Sequence, residues 1–252
     1  MHRSRASLVL LVVILASLPV LTAGSGIAQD ATPGTELGGV TILPPDQIYA
    51  GASLGEWNAR SWQWAMSVPE AVNPSFAADG SGCEIGQFGP VFFVPGSYAE
   101  EPVTIPCVVP EGTAIFVGVG GTECSTVESP PFFGRDEAEL QACAAALTDG
   151  ISDLQASVNG VDVPDLEQYR TQSPVFPLNL LADNFFGVAP GVALSVADGY
   201  NFIIAPPPPG KYEIVASVTF PDGGTITGTT QITVVAAEVV EPPATPVASP
   251  VS

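Results

Sequence analysis

The chain has 252 residues and is strongly acidic, with 26 Asp and Glu residues against six Lys and Arg and a formal net charge of −20 at pH 7. Because such a surface repels phosphate groups and anionic lipids, the composition argues against nucleic acids and membrane surfaces as partners. A polybasic partner, a neutral glycan and a divalent cation remain electrostatically permitted.

The first 28 residues predict a cleavable secretory signal peptide. Basic residues precede an apolar run from Leu8 to Leu21, and Gly26 and Ala28 occupy the −3 and −1 positions before the expected cleavage site. The run is too short for a membrane-spanning helix, which needs roughly 20 residues. We therefore expect a secreted, extracytoplasmic protein with no membrane segment in its mature form.

Removal of this signal peptide changes the chemistry of the chain. Residues 1–28 contain His2, which is the only histidine, together with two arginines and no acidic residue, so the mature net charge becomes −22. Without a histidine, neither Ser-His-Asp nor Cys-His catalysis can be assembled, and histidine-ligated metal centres are excluded as well.

The mature chain is expected to fold as one domain between two flexible ends. Residues 29–39 and 236–252 are rich in small residues and Pro without an apolar period, which predicts a flexible N-terminal segment and a disordered Pro/Ala/Thr/Ser tail. Residues 40–235 lie between them. They are sufficient for a single β-rich domain with one hydrophobic core.

The clearest predicted helix covers residues 53–68. Ser53 and Glu56 have the spacing of a capping box, in which each residue satisfies a free backbone donor of the first turn. Trp57 and Trp64 fall on one face of this helix. We therefore expect it to pack on a sheet through its indole rings.

Most of the remaining chain has the pattern of short strands. Apolar runs at residues 91–94, 103–109 and 114–119 are separated by Pro and Gly. The Asn159–Gly160 pair lies between alternating apolar and polar positions, which is a strong hairpin signal. A helix is predicted over residues 136–148, because three acidic side chains occupy its first turn.

The last predicted hairpin has an apolar residue at every second position from 212 to 220, and the returning strand has Ile226, Gly228, Thr230, Ile232 and Val234 at alternate positions. Tyr212 follows Pro-Gly-Lys, a context in which a tyrosine hydroxyl pins the corner of a sandwich domain. The predicted fold is therefore all-β and mainly antiparallel, a β-sandwich or jelly roll with an N-terminal Trp-bearing helix and one mid-chain helix.

The four cysteines predict two disulfides, because they form an even set in an exported chain. Three connectivities are open, and we favour the sequential one, Cys83 with Cys107 and Cys124 with Cys143. Each would close a short loop and stabilise the fold by roughly 3 kcal/mol. The spacings contain no close ligand pair of the kind found in zinc sites, so no metal is predicted there.

Carboxylates are the catalytic side chains that remain. An enzyme acting on glycans through two of them needs a separation of about 5 to 10 Å, and the candidates are Asp79, Glu84, Glu123, Asp183 and Asp198. The Asp-Gly pairs at Asp149, Asp198 and Asp222 offer oxygen ligands to Ca²⁺, although most such pairs are turns by conformational preference. We predict no cofactor, with calcium as the alternative.

Five strings occur in one order between about Ser53 and Val234: WNARSWQWAMSVPEAVNP, GSGCEIGQFGPVFFVPG, IPCVVPEGTAIFVGVGGTECS, VNGVDVPDLEQYRTQSPVF and DGYNFIIAPPPPGKYEI. Together they resemble a family of secreted bacterial signal-peptide proteins with no established activity. The resemblance implies that the four cysteines, Glu123, Arg170 and the tryptophan helix belong to a shared pattern. Relatives tend to have a second adjacent tryptophan before Gln63, where this chain has Ser61 and then Trp62.

From these observations we expect a ligand-binding surface near the tryptophan helix, formed by Trp62, Gln63, Gln87, Glu123 and Arg170. Arg170 has two interpretations, a structural ion pair with a buried carboxylate and a clamp on a ligand. The preferred function is a non-enzymatic secreted or envelope-associated module that binds a neutral glycan or a protein. The alternative is a carboxylate-dependent enzyme acting on glycans.

Overall fold

A computed structural model of the chain describes residues 33–97 and 102–236. The signal peptide, residues 29–32 and residues 237–252 of the predicted tail lie outside the described residues. In the described part of the chain, twelve strands form two sheets, and two α-helices accompany them. The predicted β-rich, sandwich-like fold is therefore confirmed.

The elements are named in chain order. They are β1 (Thr35–Leu37), β2 (Val40–Ile42), α1 (Leu54–Ser67), β3 (Val91–Phe93), β4 (Thr104–Pro110), β5 (Ala114–Ser125), α2 (Glu137–Thr148), β6 (Ser152–Val158), β7 (Val161–Asp162), β8 (Arg170–Gln172), β9 (Phe176–Leu180), β10 (Gly191–Ile204), β11 (Gly210–Thr219) and β12 (Thr225–Val235). Three short 3-10 turns complete the set, at Glu70–Val72, Pro74–Phe76 and Leu166–Tyr169.

The first sheet has the order β1-β2-β10-β5-β3, and β8 and β9 also pair with β10. The second has the order β4-β12-β11-β6-β7. Most pairs are antiparallel, but β3 with β5 and β4 with β12 are parallel. Buried side chains of both sheets form the main core, among them Phe93 and Phe202 from the first sheet and Ile214 and Ile232 from the second.

Both predicted helices are present. Ser53 and Glu56 form the capping box of α1, and the indole nitrogens of Trp57 and Trp64 donate to the backbone carbonyls of Tyr49 and Ile85, each at 2.9 Å. Both indole rings also contact Phe93 of β3. The helix therefore packs on the first sheet through its tryptophans, as its sequence predicts.

Both disulfides have the sequential pairing that we favoured, Cys83 with Cys107 and Cys124 with Cys143. The second joins β5 to α2. The predicted corner is also present, since the Tyr212 hydroxyl donates to the carbonyl of Pro208 at 2.8 Å. None of the helices in the described residues has the length and apolar character that a membrane crossing requires.

The central strands are longer than their apolar runs predict. The strand expected to stop at residue 119 continues to Ser125, and β10 runs without a turn through Asp198 and Gly199. The turn expected at that Asp-Gly pair is therefore wrong. A Cβ on Gly199 would lie 2.9 Å from the Cα of Gly121, so these glycines allow two backbones to come close rather than ending a strand.

The N-terminal segment also differs from its prediction. Residues 35–37, within the segment expected to be flexible, form β1 and pair with β2 in a hairpin. Gly38 and Gly39 both have positive φ, at 56° and 85°. Two such residues suit the tight turn of a two-residue hairpin, which explains the order of this short strand.

Candidate functional site

A cavity of about 670 Å³ lies beside α1 and the central strands β5 and β10. Its lining comes mainly from α1, both strands, the loop after β5, the segment between β9 and β10 and the hairpin β11–β12, and Leu147 of α2 also contributes. Aromatic side chains contribute much of it: Trp62, Phe116, Phe132, Phe185 and Phe186. A mostly apolar cavity of this size with a few polar groups has the usual properties of a small-molecule site.

Glycines on β5 and β10 create part of this space. Gly118, Gly121 and Gly199 all line the cavity. A Cβ on Gly118 would meet only the Asn201 side chain, at an ordinary contact distance of 3.5 Å. A Cβ on Gly121 would lie 2.7 Å from the carbonyl oxygen of Asp198. Gly118 therefore faces open space, whereas Gly121 is required by the close approach of the neighbouring strand.

Two glutamates form a hydrogen-bonded carboxyl pair in the cavity wall. Glu123 near the end of β5 is only 5% exposed, and Glu128 in the following loop is half-buried. The two carboxyl groups hydrogen-bond to each other, which requires a proton between them. Ser195 donates to Glu123, and Ser125 donates to Glu128 at 2.9 Å.

The pair has perturbed protonation. Burial, reinforced by the charge of Glu128, raises the pKa of Glu123 well above its ordinary value. Burial also raises the pKa of Glu128, while hydrogen bonds from Glu123 and Ser125 oppose that shift. Two carboxyl groups so close cannot both ionise easily, so each disfavours a second negative charge on the pair.

This geometry differs from that of glycosidases. Their two carboxyl groups are about 5 to 5.5 Å apart in retaining enzymes and about 6.5 to 9.5 Å apart in inverting ones, with the sugar carbon or a water molecule between them. Glu123 and Glu128 hydrogen-bond directly to each other, which leaves no room for either. The pair is therefore arranged to hold a proton and a negative charge beside the cavity.

A buried amide completes the polar part of the wall. Asn201 is 5% exposed and lines the cavity opposite Gly118, next to a bulge between residues 200 and 201 of β10. Its Nδ2 has no hydrogen-bond partner among the described residues. Leaving a buried donor unpaired costs about 1–3 kcal/mol. The side chain lines the cavity although Nδ2 itself is shielded, so an acceptor on a ligand would remove that cost once the amide turns toward it.

The described residues contain four cationic side chains, and none of them lines the cavity. Arg60 lies over the ring of Trp57, Arg135 pairs with Glu139, and Arg170 pairs with Asp149 and Asp198. Lys211 is exposed on β11. The carboxyl pair therefore has no counterion within the described part of the protein.

The structure brings two of the five predicted ligand-binding residues together. Trp62 and Glu123 line the same cavity. Gln63 instead donates to the carbonyl of Pro177 at 3.0 Å. Gln87 exchanges two hydrogen bonds with the backbone of Phe93, at 2.7 and 3.0 Å. Both glutamines therefore hold backbone segments together.

Arg170 is the centre of a structural ion-pair network, the first of its two interpretations. Its Nε donates to the buried Asp198 carboxylate at 2.9 Å and its Nη1 to Asp149 at 2.7 Å. These contacts raise the pKa of the guanidinium, with the hydrogen bond to Asp198 as the largest cause and partial burial opposing it. The network joins β8, β10 and the end of α2.

The other predicted carboxylates are dispersed. Asp79 accepts from the backbone of Ser81 in a turn, and Glu84 accepts from the backbone of Val108. Across residues 33–97 and 102–236, no group of three or more Asp, Glu, His or Cys side chains is arranged to hold a metal ion. The expectation about calcium stays a prediction.

Sequence reasoning missed Glu128 and Asn201. Glu128 follows Glu123 by five residues, across the end of a strand, and this spacing is not a recognised motif. Asn201 lies within a run that was assigned only as a strand. In the tertiary structure, the chain reversal after β5 and the bulge in β10 place both side chains in the cavity wall.

Comparisons with protein-family models, with curated proteins and with solved structures found no match to this chain.

Proposed function

We propose that this protein is a secreted, non-enzymatic binding module whose cavity takes up a small, largely apolar ligand that has at least one hydrogen-bond acceptor. The observation that carries this proposal is the unpaired Asn201 amide in an aromatic-lined cavity of about 670 Å³. Buried polar groups without partners are rare in native proteins. A ligand acceptor accounts for this one.

The properties of the cavity narrow the ligands expected from the sequence. Its volume falls within the range of about 300 to 1,000 Å³ that suits a small molecule rather than a folded protein partner. Its lining is mostly apolar, which favours an apolar body over a neutral oligosaccharide with many hydroxyl groups. The hydrogen-bonded glutamates support binding rather than glycoside hydrolysis, because they lack the separation that hydrolysis requires.

Export is part of the proposal. The N-terminal 28 residues have the pattern of a signal peptide, and both disulfides within the domain suit an oxidising compartment. The resemblance to secreted bacterial proteins supports the same location.

The cavity can be tested with Nile red, a neutral apolar dye whose fluorescence rises in apolar surroundings. We expect the purified chain with both disulfides intact to bind the dye, and we expect Gly118→Leu to abolish binding. Gly118 has no backbone strain that a side chain would worsen, and its Cβ points into open space. A leucine there would fill the cavity.

Gly191→Leu is the matched control, because a Cβ at Gly191 meets nothing within 4 Å and this residue does not line the cavity. It should retain full dye binding. Equal binding by both variants would show that the dye binds elsewhere and would contradict the proposal. Release of reducing ends from a glycan, lost in Glu123→Gln, would contradict a non-enzymatic function.

A further inference from the structure

We propose that the ligand is an organic cation, with its positive charge next to Glu123 and Glu128 and its apolar body against the aromatic lining of the cavity. This inference rests on the proposed function and adds the charge of the ligand to it. The observations that carry it are a buried carboxyl pair that has no counterion, and an Asn201 Nδ2 that has no hydrogen-bond partner, among the described residues that line the same cavity.

The first step is the cost of an unpaired buried charge. A carboxylate removed from water is unfavourable unless a cation or several donors compensate for it. Glu123 is 5% exposed, and the hydroxyl donors on the pair are Ser195 and Ser125. These hydroxyl donors stabilise the pair only partly. An ionised carboxylate of the pair faces the cavity without a counterion among the described residues.

The second step is that none of the cationic side chains of the described residues is available to pair with Glu123 and Glu128. The four cationic side chains of the described residues are held over Trp57, in two sets of ion pairs and on the exposed surface of β11. Export would remove the two remaining arginines with the signal peptide. A counterion for the pair therefore has to come from outside the chain.

The third step distinguishes an organic cation from a metal ion. Within residues 33–97 and 102–236, no group of three or more Asp, Glu, Cys or His side chains is arranged so that it could hold a metal ion. The cavity is instead lined by aromatic rings, and aromatic rings attract organic cations through their negative faces. Trp62, which is half-buried in the lining, offers such a ring.

The fourth step concerns orientation. Asn201 lies opposite Gly118, whereas Glu123 lies opposite Ala197 further along the same strand pair. A ligand whose cation contacts the glutamates can therefore direct an acceptor, such as a carbonyl or hydroxyl oxygen, toward the Asn201 amide. Two separated polar contacts at the ends of an apolar body would give the cavity its specificity.

The test compares two competitors of Nile red that differ only in charge. Benzyltrimethylammonium is a cation, and neopentylbenzene is its neutral isostere, in which carbon replaces nitrogen. An apolar cavity without charge recognition would prefer the neutral compound, because that compound is much less soluble in water. We expect the cation to compete about tenfold more strongly, which corresponds to about 1.4 kcal/mol.

The variant Glu123→Gln/Glu128→Gln should lose this preference while it still binds Nile red, and dye binding shows that its cavity is intact. The control Glu167→Gln/Glu213→Gln removes two exposed carboxylates outside the cavity and should keep the preference. If both double variants lose the preference for the cation, the preference arises from the net charge of the protein, and the inference is overturned.

The outcomes separate the two proposals. Nile red binding that depends on Gly118, together with equal or stronger competition by neopentylbenzene, would overturn the cation inference and leave the proposed function standing. If neither compound competes while the dye still binds, the cation inference is likewise overturned and the proposed function stands. Absence of dye binding to the unmodified chain would instead contradict the proposed function.

Discussion

The two faces of the strand pair β5–β10 differ in whether their buried polar side chains have hydrogen-bond partners. On the face covered by α2, the Thr122 hydroxyl pairs with Thr148, Thr148 donates to the Asp198 carbonyl, and the Asp198 carboxylate accepts from Arg170. On the face toward α1, Glu123 lies against another acid, Glu128, and the Asn201 Nδ2 has no hydrogen-bond partner among the described residues.

This difference teaches where to look for a ligand. A buried polar network whose members all have partners stabilises one arrangement of the chain and leaves nothing for a ligand to do. A buried polar group without a partner is unfavourable in the free protein and becomes favourable once a ligand supplies the partner. The groups on the α1 face are therefore the ones expected to contact a ligand. The network around Arg170 holds the adjoining part of the same cavity wall, to which Thr122 and Asp198 also contribute.

The largest expected effect comes from breaking the network on the α2 face. Arg170→Met would leave the Asp198 carboxylate, 5% exposed, without its cation. We expect a loss of about 3 kcal/mol in the free energy of unfolding, measured with urea while both disulfides remain intact. Adding Asp198→Asn should recover most of it. A loss below about 1 kcal/mol would show that the ion pair is not structurally important.

A second, smaller effect distinguishes two glycines of the same strand. Gly121→Ala should destabilise the fold by about 2 kcal/mol, because its Cβ would overlap the backbone of β10. Gly118→Ala should leave stability nearly unchanged, because its Cβ enters the cavity. Equal melting temperatures of the two variants would contradict the assignment of Gly118 to open space and Gly121 to a backbone contact.

The smallest effect is a gain in stability on the α1 face. The pKa of Glu123 is higher in the folded protein than in the unfolded chain, because burial and Glu128 disfavour its charged form. The contribution of Glu123 to the free energy of unfolding is therefore complete at a pH below its pKa in the unfolded chain. This contribution is lost as the pH rises through its pKa in the folded protein. Glu123→Gln removes that loss.

We expect Glu123→Gln to stabilise the protein by about 1 kcal/mol at neutral pH and by less at pH near 3, which lies below the pKa of this carboxyl in both the folded and the unfolded state. Thermal unfolding across this pH range measures the difference. A variant that is less stable than the unmodified protein at neutral pH would show that the charge of Glu123 is compensated within the chain.

Several features of the fold followed from local sequence patterns. The capping box of α1, the Asn159–Gly160 hairpin and the final hairpin of β11 and β12 were predicted, because caps, turns and alternation act between residues close in the chain. The sequential disulfides were predicted for a similar reason, since each closes a short loop.

The candidate site was only partly predictable. Trp62 and Glu123 were singled out from the sequence, but Glu128 and Asn201 were not. Nothing in the sequence indicates that the loop after β5 brings a second acid against the first. The acids proposed for catalysis also included Asp198, whose role depends on Arg170 and is structural.

By itself, the sequence determined the β-rich class, the two helices and a surplus of acids that leaves few cations for any site, and it favoured the disulfide pairing that the structure contains. Only the tertiary structure decided the length of β5 and β10, the parallel pairs and the cavity between α1 and the sheet. The physical reason is that these features depend on contacts between distant segments. The strand that lies opposite decides whether Gly199 marks a turn or a close contact, and the side chains that lie opposite decide whether Glu123 has a counterion.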